Sequence, residues 1–140
     1  MMYRRALGSA QREIEENPDD AYAWFNEGND YLALGEYESA VEAYERAMQI
    51  GLPWRMLWYQ FGPIVAYNGI GAYEKALAEA ASVLAKTPNI EELHYERGNA
   101  YLGLGKRDEA IAEYELALLY NPHFVEARRA LSDLLEPKPS

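Results

Sequence analysis

The residues of this chain whose side chains could carry out chemistry are few and lie far apart. His94 and His123 stand 29 positions apart in a sequence of 140 residues that has no cysteine. A zinc site needs three or four ligands brought together from Cys, His, Asp or Glu, so this spacing favours no metal. No serine lies in a G-x-S-x-G turn or within a helical turn of either histidine, which leaves a nucleophilic triad without support. We therefore expect no catalytic residue, metal or cofactor.

Charge and hydropathy exclude two further classes of ligand. The formal charge is -10, from 23 acidic and 13 basic residues, whereas phosphate binding depends on clustered Lys and Arg. Gly69 and Gly71 resemble the start of a phosphate loop, but no strand precedes them and the third glycine is missing. No apolar run approaches the roughly 18 residues that span a bilayer. We expect a soluble protein, cytoplasmic by default, that binds neither nucleic acid nor membrane.

The elements that position side chains are read from an internal repeat with a period of 34 to 36 residues. Each repeat has a Trp or His, a glycine four residues later, and an alanine after a turn that contains glycine. These positions are Trp24, Gly28, Tyr31 and Ala40, then Trp58, Gly62 and Ala76, then His94, Gly98, Tyr101 and Ala110. A period of this length without strand-like alternation predicts paired helices that cover each other's apolar faces.

Packing gives each repeated residue a physical reason. Glycine within a helix costs roughly 0.5 to 1 kcal/mol relative to alanine, so Gly28, Gly62 and Gly98 need a compensating close approach of two helices. We expect the repeated alanines to be the small residues on the facing helix. Gly35 and Gly105 fit the left-handed residue that ends a helix. His94 takes the place of a tryptophan, which predicts a packed side chain and not a ligand.

This pattern resembles the tetratricopeptide repeat. The resemblance implies an all-α fold, a right-handed superhelix of antiparallel helix pairs, and a single domain over residues 1–140. Within it we expect an orphan second helix at 3–17, repeats at 20–52, 53–88 and 91–122, and a capping helix at 123–136. The individual helices are predicted near 3–16, 20–34, 37–50, 54–68, 73–86, 91–104, 107–120 and 123–135.

The second repeat is irregular. Counting from Trp58 gives Gly69 as the turn glycine, whereas counting back from Ala76 gives Gly71, so two residues are inserted near the turn. Pro63 falls inside the predicted helix 54–68, where it would remove a backbone hydrogen bond at a cost on the order of 3 kcal/mol. A kink or bulge is expected there, either for function or through neutral drift.

The resemblance also implies a concave groove lined by the first helix of each pair. It places in this groove Tyr22, Phe25, Asn26, Asn29, Met56, Tyr59, Gln60, Pro63, Tyr67, Glu92, Tyr95, Glu96, Asn99 and Arg129. Aromatic side chains offer contact area with few rotatable bonds, and amides can pair with a peptide backbone. We expect a noncatalytic interaction module whose peptide or helical partner has an aromatic or apolar anchor and basic character.

Members of this family that clamp the carboxylate of chaperone tails have cations where this chain has Phe25, Glu92 and Glu96, so an acidic tail is disfavoured although Asn29 matches. An alternative is a self-associating scaffold, because the orphan first helix leaves an apolar end open to a second copy or to hairpin exchange. Residues 51–63 also resemble repeat arrays beside papain-like peptidase domains of bacterial multidomain proteins, so an excised accessory domain of a larger enzyme is a further alternative.

Overall fold

The computed structural model describes residues 2–52, 61–87 and 89–136, and within these ranges it contains eight α-helices and no strand. The chain divides into two compact units, Met1–Ile70 and Gly71–Ser140. The helices of the first unit are α1 (Met2–Glu16), α2 (Ala21–Ala33), α3 (Tyr37–Ile50) and α4 (Gly62–Gly69). Those of the second unit are α5 (Tyr73–Lys86), α6 (Glu91–Gly103), α7 (Arg107–Tyr120) and α8 (Val125–Leu135).

The predicted all-α class is confirmed, and most helix bounds agree with the sequence pattern. Helices α3, α5 and α7 match their predicted ranges at both ends. Helix α8 begins at Val125 and not at residue 123, because Asn121 first organises a turn. Its side-chain oxygen accepts the His123 amide at 3.2 Å and its carbonyl accepts the Phe124 amide at 3.1 Å.

The prediction for Pro63 is wrong in its local geometry. Phe61 is not helical, and α4 begins at Gly62, so Pro63 lies in the first turn of the helix and not in its interior. An amide in the first turn has no acceptor within the helix, which is why proline is tolerated there without a kink. Residues 54–60 of the predicted helix 54–68 lie outside the described residues.

The turns within the helix pairs follow the glycine pattern. Gly35 and Gly105 have φ values of 76° and 77°, in the left-handed region that favours glycine. The amide after each glycine donates to a carbonyl five residues earlier, Glu36 to Tyr31 at 2.9 Å and Lys106 to Tyr101 at 2.8 Å. This is the Schellman arrangement that ends a helix. In the irregular segment Gly71 has the left-handed φ of 79°, and Gly69 ends α4.

Close approach at the helical glycines is confirmed, but its partner differs from the prediction. A β-carbon at Gly28 would lie 2.6 Å from the Tyr44 ring, and one at Gly98 would lie 2.5 Å from the Tyr114 ring. At Gly62 it would meet the Tyr44 hydroxyl. The glycines thus make room for tyrosines. Ala40, Ala76 and Ala110 are buried in the core without being the residues that need the missing β-carbon.

Each unit has its own core. In the first, α2 packs against α1 and α3, and the fully buried side chains include Phe25, Tyr44 and Ile64. In the second, α6 packs against α5 and α7, α8 packs on α7, and Leu93 and Tyr114 are fully buried. We call the pair α2 and α3 the first hairpin, and the pair α6 and α7 the second hairpin.

Candidate binding surfaces in the two units

An asparagine held by a tyrosine occurs at the same place in both hairpins. The Tyr44 hydroxyl donates to Asn29 Oδ1 at 2.6 Å, and the Tyr114 hydroxyl donates to Asn99 Oδ1 at 2.6 Å. The two pairs are 70 positions apart in the sequence. Because the oxygen of each carboxamide is bound, its orientation is fixed, and a fixed carboxamide is a preorganised group for pairing with a peptide backbone.

In the second unit these groups form part of an aromatic surface. The Tyr95 ring lies 5.8 Å from the Tyr114 ring and 5.1 Å from the Phe124 ring, measured between centroids. Both distances fall in the range that aromatic pairs prefer. The Tyr95 side chain is only partly buried, so one part of it remains open to solvent. This surface combines a positioned aromatic ring with the fixed amide of Asn99.

Acidic groups flank this aromatic surface. Asn99 Nδ2 donates to Glu96 Oε1 at 3.0 Å, and Glu96 is buried. Glu92 is exposed, and its pKa is raised by partial burial and further by the neighbouring charge of Glu91. Arg129 is exposed on α8. The acid of Glu92 is therefore available at the surface, whereas the carboxylate of Glu96 is used to position Asn99.

In the first unit the equivalent residues are arranged differently. The Phe25 ring lies 5.0 Å from the Tyr44 ring and has no exposed surface, whereas Tyr22 is 52% exposed. A cleft of about 340 Å³ opens between α1 and α2. It is lined by Ala6, Ser9, Ala10 and Glu13 of α1 and by Asn26, Asn29 and Asp30 of α2. Burial raises the pKa of Asp30. This cleft presents carboxylates and amides together.

The predicted groove residues therefore have unequal exposure. Four of them, Phe25, Pro63, Tyr67 and Glu96, are buried and cannot form an open wall as they stand. Their burial corrects the expected exposure, because these side chains fill space within packed helices. Tyr22, Asn26, Glu92 and Arg129 are exposed, and Asn29, Tyr95 and Asn99 are partly buried. Met56, Tyr59 and Gln60 lie outside the described residues. A role in binding stays a prediction for all of them.

His94 lies on a different face of the second hairpin, in a buried ionic cluster. Its Nδ1 lies 2.8 Å from Glu113 Oε2, and Arg97 Nη2 lies 3.5 Å from Glu113 Oε1. The imidazole also packs against the Tyr120 ring, with centroids 5.6 Å apart. The expectation of a packed histidine is confirmed, and within the described residues no group of three or more His, Asp or Glu side chains could hold a metal ion.

The repeat pattern did not single out every residue of these surfaces. Phe124 precedes α8 and was not among the repeat positions read from the sequence, although an aromatic residue, Trp54, stands 70 positions before it. The sequence alone does not predict the contact between Glu113 and Arg97, because the two residues lie 16 positions apart on separate helices. Asp30 reads as an ordinary surface acid. The contacts of Tyr44 and Tyr114 with the asparagines join residues 15 positions apart on separate helices, so they appear only once the helices are packed.

Two segments of the chain match known repeats. Residues 21–50 and residues 91–124 each match a family model described as tetratricopeptide repeat. Each of these two segments is a tetratricopeptide repeat. The two matched segments are the first hairpin and the second hairpin with its following turn, and the Asn and Tyr residues that pair in each hairpin fall inside them. No helix in the described part of the chain combines the length and the apolar character needed to cross a membrane.

Among curated proteins, the chain is similar to serine/threonine-protein phosphatase 5 of Homo sapiens, with 26% identity over 102 residues. The match covers 73% of this chain and 20% of the phosphatase. The mouse and rat phosphatases give the same identity and coverage. The chain thus spans about a fifth of the length of the curated relatives it matches.

Solved structures share the fold. MamA residues 41 to the end from Desulfovibrio magneticus RS-1 gives a TM-score of 0.82 at 20% identity, covering 94% of this chain and 73% of that one. The second repeat domain of human RPAP3, determined in complex with the HSP70 peptide SGPTIEEVD, gives a TM-score of 0.70 at 27% identity. That match covers 84% of this chain and 97% of the RPAP3 domain.

Proposed function

We propose that this chain is a noncatalytic protein-interaction module that binds a peptide or a partner helix through its groove-facing residues. The observation that carries the proposal is the asparagine held by a tyrosine at the same place in both hairpins, at 2.6 Å each time. Within each unit, a preorganised amide with aromatic side chains on the same helix suits an extended backbone with an apolar anchor. The peptide bound by the similar RPAP3 domain supports the same class of function.

The partner that we propose is basic, unlike the acidic peptide of RPAP3. In this chain the exposed acid Glu92 flanks the surface of the second unit, and Glu13 and Asp30 line the cleft of the first. The formal charge of -10 adds long-range attraction for cations. The resemblance places Phe25, Glu92 and Glu96 where chaperone-binding members carry cations, so these cations are missing here, and the exposed carboxylate of Glu92 would repel an acidic tail.

A peptide-display screen on the purified protein tests this proposal. We expect enrichment of peptides that combine an aromatic or apolar anchor with Lys or Arg, and their binding should weaken as salt is added. Tyr95→Ala should weaken binding, whereas truncating the exposed Leu119 of α7 should not. Enrichment of acidic peptides would overturn the proposed partner, and binding that Tyr95→Ala leaves unchanged would overturn the surface.

Self-association is a second candidate, favoured by apolar side chains at the surface of α7 and α8. Leu119, Val125 and Leu135 are 69%, 54% and 57% exposed. On α8 the structure buries Ala127 and leaves Val125 and Leu135 exposed. Light scattering after size exclusion at two concentrations tests this candidate: a mass that rises with concentration supports it, and a constant monomer mass contradicts it.

The accessory role in a larger enzyme is carried by a different observation. The repeat-containing part that this chain matches is a fifth of the phosphatase, so similar repeats occur within longer catalytic proteins. We propose that any catalysis associated with this chain resides in a separate domain, which includes the bacterial peptidase arrangement suggested by residues 51–63. The full coding sequence that contains this chain tests this: a peptidase or other catalytic domain in the same protein supports the proposal, and the absence of any catalytic domain contradicts it.

A further inference from the structure

A small cleft with aromatic and acidic walls lies in the first hairpin, apart from the groove-facing residues. Its volume is about 120 Å³, and it is lined by Trp24, Glu27 and Tyr31 of α2 with Ser39, Glu42 and Ala43 of α3. The three α2 residues are spaced at i, i+3 and i+7, which places them on one face of the helix. The indole of Trp24 is held in place, because its Nε1 donates to the Pro18 carbonyl at 2.9 Å.

At the equivalent position of the second hairpin, the chain itself places an ion pair. Counting 70 positions on, His94, Arg97 and Glu113 replace Trp24, Glu27 and Ala43. There Glu113 contacts both His94 and Arg97, so an anion and its cation are supplied from within the chain. In the first hairpin an anion stands at the position of Arg97, and the short side chain of Ala43 stands at the position of Glu113. The space is left open and the charge at the arginine position is reversed.

Glu27 is the group that gives this cleft its chemistry. The residue is 8% exposed, and burial raises the pKa of its carboxyl. Hydrogen bonds from Gln11 and Tyr31 act in the opposite direction, and the charge of Asp30 raises the pKa further. Within the described residues no Lys or Arg forms an ion pair with Glu27. A partly desolvated carboxylate of this kind gains from a cation that enters the cleft.

We propose that this cleft binds the primary ammonium group of a lysine side chain presented by a partner protein. The Trp24 and Tyr31 rings attract a cation through their faces, and the carboxylates of Glu27 and Glu42 accept its N–H donors. A volume of about 120 Å³ admits the end of one alkylammonium chain and not a folded element. The site lies outside the predicted groove positions, so it does not depend on the groove proposal.

Titration with Nα-acetyl-lysine methylamide, followed by NMR at the Trp24 indole N–H, tests the proposal. We expect a saturable shift of this signal, which Trp24→Phe identifies among the three tryptophans. The norleucine analogue has the same chain without the ammonium group and should give no such shift. The arginine analogue separates a requirement for ammonium from a general preference for cations. Equal shifts with lysine and norleucine would overturn the proposal, as would stronger binding of arginine than of lysine.

Variants of the cleft give the second arm of the experiment. Glu27→Gln should weaken binding of the lysine probe about tenfold or more, because a charged hydrogen-bond acceptor is lost. Glu38→Gln removes the same charge from an exposed position of α3 and should leave binding unchanged. The double variant Glu27→Arg with Ala43→Glu transplants the internal ion pair of the second hairpin and should abolish binding. Undiminished binding by folded Glu27→Gln would contradict the assignment.

Discussion

The two hairpins share the packing between their helices and differ at the place where the first has a small cleft and the second has an ion pair. In both, a glycine on the first helix admits a tyrosine ring from the second, and that tyrosine hydroxyl holds an asparagine. The difference lies at the small cleft of the first hairpin and the equivalent place in the second. In the first hairpin Trp24 and the short Ala43 line the cleft, whereas in the second His94 contacts Glu113. Residues that set the distance between helices are kept, and those beside them change as a matched set.

The difference also shows how one backbone serves two kinds of surface. In the second hairpin the Glu113 carboxylate has partners from the chain itself, the Arg97 guanidinium at 3.5 Å and the His94 imidazole at 2.8 Å. In the first hairpin the same place is open and acidic. The helix pair fixes the positions of the side chains. The residues at positions 24, 27 and 43, or 94, 97 and 113, then decide whether this cleft is filled by an ion pair or open to a ligand.

Removing the anion of the second hairpin should have the largest effect on stability. Glu113→Ala leaves His94 and Arg97 beside each other without their acceptor, which should lower the free energy of unfolding by about 3 kcal/mol. Denaturant unfolding measures this, with Glu115→Ala, an exposed acid of the same helix, as the control. Adding His94→Trp and Arg97→Glu to Glu113→Ala recreates the first hairpin and should recover part of the loss. No recovery would show that the three residues do not act as a matched set.

The shared inner packing predicts equal losses in both hairpins. Gly28→Ala and Gly98→Ala each place a β-carbon within 2.6 Å of a tyrosine ring and should destabilise by about 1–3 kcal/mol. Gly8→Ala in α1 meets nothing within 4 Å and should instead stabilise by roughly 0.5 to 1 kcal/mol. Thermal unfolding of the three variants decides the matter. A neutral Gly28→Ala would show that the ring moves aside.

The hydrogen bonds between the tyrosine hydroxyls and the asparagines should contribute less to stability than the glycine positions do. Tyr44→Phe and Tyr114→Phe each remove one hydrogen bond of 2.6 Å while keeping the ring, so each should cost about 1 kcal/mol in urea unfolding. Since the two pairs have the same geometry, the two losses should agree. A loss confined to one variant would mean that the asparagines are held by different contacts in the two hairpins.

The same tyrosines predict a dependence on alkaline pH. Burial is the largest cause that raises the pKa of both Tyr44 and Tyr114 above the ordinary value near 10. Their phenols ionise more readily in the unfolded chain, so stability is complete below about pH 10 and falls as the pH rises beyond it. Unfolding from pH 9 to 11 should show a shallower decline in the double Phe variant than in Tyr22→Phe, whose ring is exposed. Identical declines would contradict this account.

The periodic residues were enough to predict most of the helices and the turns within the two hairpins. Gly35, Gly105 and the repeated tyrosines have roles fixed by local geometry, so their positions follow from spacing alone. The ion pairs of Glu113 and the burial of Phe25 depend on which faces meet, and no single helix contains that information. Pro63 was misplaced because the repeat period predicted a helix through residue 61, where the chain is not helical. The division of the chain into repeats stays a prediction, as do the groove contacts.

Calorimetric titration of a basic, aromatic-containing peptide from the screen tests the central claim most directly. We expect binding that Tyr95→Ala weakens by about 1 to 2 kcal/mol, in the range of a central contact residue. We also expect weaker binding at higher salt, and no change when Leu119 is truncated to alanine. Unchanged affinity in Tyr95→Ala, or tighter binding of an acidic peptide than of the basic one, would contradict the claim that this surface binds basic partners.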